Sequence, residues 1–99
     1  MVEIRWTPQA IEDINSIAEY IAKDSFRYAK IQTERFFDTT EILITKPGIG
    51  RIVPEIKKTN IRELILGNYR IIYKIISTKR IDILTIHHSA RRIVKSKLK

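Results

Sequence analysis

The chain has no cysteine, only three glycines and three prolines, and a single tryptophan among its 99 residues. Without cysteine there is neither a disulfide framework nor a thiolate metal site, which fits a reducing cytoplasm. So few glycines and prolines exclude low-complexity and collagen-like chains, and make each one punctuation between elements. No apolar run approaches the roughly 20 residues that a membrane-spanning helix needs. The start, MVEIRWTPQ, lacks the charged-then-apolar pattern of a signal peptide. Acidic residues are also scarce: eleven Asp and Glu stand against nineteen Lys and Arg, a formal charge of +8. A surface this basic favours polyanions, whether nucleic acid, ribosome or an acidic protein. What remains is 43% hydrophobic and 30% charged, the balance of one folded domain over residues 1–99.

The order of elements follows from hydrophobic period. VEIRW (2–6) alternates apolar and polar residues and reads as a short strand. Thr7-Pro8 opens a helix, with Thr as N-cap and Pro at the first helical position, where its missing N–H would have no partner. Ile14, Ile17, Ala18 and Ile21 form one helical stripe, and the helix is expected to end near Lys23. Asp24-Ser25 reads as a turn and a second N-cap. Residues 26–46 then read as a second helix, antiparallel to the first and stopped by Pro47-Gly48, although EILIT at its end also suits a strand. Segments 51–56, 61–66, 69–76 and 81–88 read as an antiparallel meander, with Gly67-Asn68 as a two-residue hairpin turn. The tail, ARRIVKSKLK, is basic. The expected fold is α+β: two helices on one face of an antiparallel sheet in the order β-α-α-β-β-β, with the other face left to water or a partner.

An arginine inside IRELILGNYRIIYKI demands an explanation. In 69–76 one face carries Tyr69, Ile71, Tyr73 and Ile75, and suits the underside of the helices. The other carries Arg70, Ile72, Lys74 and Ile76. A Gly-Asn turn pairs Leu66 with Tyr69 and Ile65 with Arg70, leaving Glu63 diagonal to Arg70 on one face. This predicts a half-exposed cross-strand ion pair of at most about 1 kcal/mol. In the next strand either His87 or His88 falls opposite Arg70, depending on a one-residue choice of register. Histidine titrates near neutral pH, so its approach to an arginine invites a chemical reading.

Trp6, AIEDINSIAEYI (10–21), GRIVPE (50–55), IREL (61–64), YRIIY (69–73), IDILTIHH (81–88) and Arg91, in that order, resemble the RelE/ParE superfamily, toxins of type II toxin–antitoxin modules. The resemblance spans nearly the whole chain and implies the same fold. It implies two modes of action. RelE-type members cut messenger RNA on the ribosome without metal, and that reading is placed first; ParE-type members poison DNA gyrase and form the alternative. By resemblance Arg70 grips phosphate oxygens, His88 is the general acid and Glu55 the general base. Arg51, Lys57, Lys58, His87 and Arg91 are substrate-binding candidates. No cofactor or metal is implied. The implied partner is a cognate antitoxin, acidic and folding as it binds. Ribosome and mRNA, or gyrase, would be the target, operator DNA would be touched only through the antitoxin, and no membrane is involved. No tyrosine follows His87-His88, a departure from relatives that use one near the C-terminus.

Overall fold

The computed structural model describes residues 2–89. Strand β1 (Glu3–Trp6) leads into helices α1 (Pro8–Ala22) and α2 (Phe26–Thr40), followed by a 3-10 turn (Glu41–Ile44) and strands β2 (Arg51–Ile52), β3 (Ile61–Leu66), β4 (Tyr69–Ser77) and β5 (Arg80–His88). They form one five-stranded sheet in the order β1-β5-β4-β3-β2. Both helix starts follow the expected chemistry. The Thr7 hydroxyl accepts from the Ala10 amide at 3.2 Å, with Pro8 at the first helical position, and the Ser25 hydroxyl accepts from the Tyr28 amide at 3.1 Å.

Three expectations change. The sheet is mixed, because β1 runs parallel to β5, pairing Glu3–Trp6 with Arg80–Ile83. The second helix stops at Thr40 and not near residue 46. There the Thr40 hydroxyl bonds back to the Phe37 carbonyl at 2.9 Å, and the chain tightens into the 3-10 turn before Pro47. The expected strand 51–56 shrinks to Arg51–Ile52. Pro54 cannot donate to a ladder. Beyond it the chain reverses, with the amides of Ile56 and Lys57 both donating to the Val53 carbonyl, and Lys57 adopts φ +59°.

The main core lies between the helices and the sheet: Ala10, Ile14, Phe36, Leu43, Ile71, Tyr73, Ile81, Ile83 and Ile86. Trp6 stacks obliquely on Phe37, with ring centroids 4.7 Å apart, and Phe36 meets Tyr69 edge-on at 5.3 Å. The opposite face is not simply open to water. Val53 packs on Ile61 and Ile72, with Ile56 and Leu84 against them, so the loop after β2 roofs a second, smaller core. Two bulges tune the long β4–β5 pairing. Ile75 faces Ile81, Tyr73 faces Ile83, and Ile72 faces Thr85, so Ile76 on β4 and Leu84 on β5 are the extra residues.

Candidate functional site

The hairpin forms as the Gly67-Asn68 turn demands, with Gly67 at φ +57°. It pairs Leu66 with Tyr69 and Ile65 with Arg70. Glu63 is therefore diagonal to Arg70 on the face away from the helices. The pair is not half-exposed. Arg70 is 7% exposed and Glu63 1%, because the loop after β2 folds over them. Burying two charges is tolerable only when their hydrogen-bonding capacity is met.

It is met by a chain of four side chains. Arg70 Nε donates to Glu63 Oε1 at 2.6 Å. Its Nη1 and Nη2 donate to Glu55 Oε2 and Oε1, both at 2.8 Å, in a two-pronged fork. Arg51, across the ladder from Glu63, donates its Nε to Glu63 Oε2. Two guanidinium groups thus alternate with two carboxylates, and the set is neutral. The Glu55 side chain is still 40% exposed at the outer end. The Arg70 hydrogen bonds hold its carboxyl far below the usual range, at about 2. The same partners, Glu55 first, push the Arg70 guanidinium further up from its already high ordinary value. Lys57 and Lys58 stand exposed on the loop beside Glu55.

The bulge at Leu84 settles the histidines. His87 lies across the ladder from Arg70, and His88 across from Tyr69. Ladder partners share a face, so His88 sits on the helix side, its ring edge-on to Tyr69 at 5.5 Å. The sheet itself stands between His88 and the pair formed by Arg70 and Glu55. Arg91 lies outside the described residues.

Two features escaped the sequence reading. Asp13, beside the apolar stripe of α1, accepts from the Thr85 hydroxyl and from the Ile86 amide at 3.0 Å, tying α1 to β5. A cleft of about 640 Å³ opens next to it, bounded by Asp13, Ile17, Tyr20, Tyr69, Ile86 and His88. Asp13 falls four residues before Ile17 and three after Ala10, which was the only signal of its inward position. Among the described residues no helix is long and apolar enough to cross a membrane, and no cluster of three or more His, Cys, Asp or Glu is arranged to hold a metal ion.

The fold is similar to a solved structure described as a chromosomal ParDE TA system from P. aeruginosa. The TM-score is 0.72, with 22% identity over 89% of this chain and 96% of that one. No curated protein sequence matches the chain significantly. A family profile, described as the ParE toxin of the type II toxin–antitoxin system parDE, matches residues 4–93. That match covers most of the chain, which therefore belongs to the ParE toxin family of type II toxin–antitoxin systems.

Proposed function

We propose that this toxin acts as a ParE-type inhibitor that binds and poisons DNA gyrase, and that it does not cut messenger RNA. The observation that carries this reading is the pairing of Arg70 with two carboxylates. All three of its guanidinium nitrogens are engaged by Glu55 and Glu63, so the fork that would grip a phosphate is already filled.

The two groups that the resemblance assigned to proton transfer, Glu55 and His88, point the same way, while His87, a binding candidate, faces Arg70 across the ladder. A carboxylate held near pKa 2 is a poor general base at neutral pH. The expected acid, His88, faces the other side of the sheet. Poisoning by protein contact needs neither group. The family profile also speaks for the gyrase alternative over the cleavage reading placed first on the sequence. The neutralising partner in this reading is a cognate antitoxin with an acidic segment, matched to the +8 charge. Operator DNA is reached through that antitoxin.

One preparation tests both modes. The purified chain should block supercoiling by DNA gyrase, or trap cleaved plasmid, at near-stoichiometric ratios, and leave mRNA intact on programmed ribosomes. Codon-specific cleavage on ribosomes that disappears in Arg70→Ala or His88→Gln, with no effect on gyrase, reverses the assignment.

A further inference from the structure

The end of the helical hairpin is dressed for contact. Phe26, in the first turn of α2, is 84% exposed; Tyr20, in the last turn of α1, is 72% exposed, and Tyr28 is 52% exposed. Among the described residues none of the three belongs to either core. The helix start at this point is already secured by the Ser25 cap. Cations are interleaved with the rings. Within residues 20–30 Lys23, Arg27 and Lys30 are opposed only by Asp24, and the Lys23 ammonium lies 5.9 Å from the centre of the Tyr20 ring.

We propose that this tip, Tyr20, Phe26, Arg27 and Tyr28 with Lys23 and Lys30, is the surface that seizes the toxin's protein target, and that it enters a pocket with an apolar floor and an acidic rim. The assignment rests on the gyrase reading for the identity of that target. Tyrosine and arginine are among the residue types that dominate binding energy at protein interfaces, and phenylalanine is enriched there with the other aromatics. The three cations select the charge of the rim and speed the encounter. The tip is convex, the turn between two helices, so it suits insertion into a concavity. A lipid surface suits it less well. One phenylalanine and two tyrosines offer little apolar area, and even a full acyl chain gives only marginal membrane anchoring. Glu55, Glu63 and Arg70 lie on the far face of the sheet, so the tip and the ion network are separable by mutation.

The test uses the full chain and its Tyr20→Ser/Phe26→Ser/Tyr28→Ser variant, with Arg27→Glu/Lys30→Glu as a second variant that keeps the rings. Both should melt within a few degrees of wild type, since no core side chain changes. Each should lose at least ten-fold in potency against the supercoiling activity of purified gyrase, and the charge variant should lose most of the salt dependence of inhibition. Undiminished potency in the triple-serine variant overturns the proposal. If wild type leaves gyrase untouched but arrests growth when expressed, the gyrase reading fails alone. The tip is then judged by growth arrest, which the triple-serine variant must abolish; continued arrest overturns it. Binding of wild type to phosphatidylglycerol vesicles, lost in the triple-serine variant while potency is kept, assigns the tip to a lipid surface and also overturns the proposal.

Discussion

Glu63 and Arg70, diagonal neighbours across the Gly67-Asn68 hairpin, are joined at 2.6 Å with almost no contact with solvent. Two charges in that position are an all-or-none arrangement. Together, and with Arg51 and Glu55, they are satisfied; singly, either would keep only its outer, partly exposed partner and leave a buried hydrogen-bonding atom unmet.

Removing the inner carboxylate should therefore be severe. Glu63→Ala leaves Arg70 with one partner and is expected to cost about 3–5 kcal/mol. Arg51→Ala removes a cation whose own side chain is 60% exposed; it leaves the buried Glu63 Oε2 without that donor but keeps the Arg70 pairing, and should cost less, about 1–3 kcal/mol. Urea unfolding of the two variants measures the contrast. Equal losses would mean that the network is not organised around Glu63.

Acid should loosen the outer end of the network first. The folded-state pKa of Glu55, about 2, lies below its ordinary 4.5. Its contribution is thus complete above about pH 5 and is lost as pH falls from there towards 2. Because the side chain is partly in water, that contribution is on the order of 1 kcal/mol. Wild type should lose more stability than Glu55→Gln between pH 5 and pH 2, and the two curves should run parallel above pH 5. A gap that widens above pH 6 contradicts the assignment.

Tyr73 anchors the start of the roofing loop. Its hydroxyl donates to the Pro47 carbonyl at 2.8 Å and accepts from the Gly50 amide at 2.9 Å. Burial pushes its phenol pKa up. Tyr73→Phe should cost about 1–3 kcal/mol, the penalty of leaving those groups unmet. A Cβ at position 50 would lie 2.5 Å from the Tyr73 hydroxyl and 2.7 Å from the Glu63 carbonyl, so Gly50→Ala should cost about 1–3 kcal/mol by crowding. Gly48→Ala meets nothing within 4 Å and serves as the control in thermal melts.

Asp13→Ala should free the outer half of β5. The Thr85 hydroxyl and the Ile86 amide lose their acceptor, at an expected cost of about 1–3 kcal/mol. Hydrogen exchange at the Ile86 amide should accelerate by more than that of Ile71 in β4. Uniform acceleration along the sheet would show a global effect only.

Local chemistry made much of this molecule legible. Thr7-Pro8, Ser25 and Gly67-Asn68 each state a cap or a turn through a single residue's bonding or φ preference, and each stands where expected. The face assignment of β4 follows from strict alternation, so Glu63 beside Arg70 could be read directly. Burial could not, because it depends on Val53 and Ile56 folding back over the sheet, and no periodicity marks a loop as a roof. The histidine register depended on two bulges, at Ile76 and Leu84, in a run of isoleucines where every shift offers acceptable apolar pairs. The parallel placement of β1 joins the two ends of the chain, the kind of long-range pairing that local pattern says least about.

Strand β1 guards only Arg80–Ile83 of its neighbour, and among the described residues no strand pairs with the next stretch of β5 on that side. Asp13 occupies that margin, and its carboxylate takes the very amide that an approaching sheet would need. A copy of this chain trying to zip onto the margin would meet a negative charge and a spent donor. The margin is thereby blunted against edge-to-edge pairing by one residue of a helix, acting on a strand more than seventy residues away.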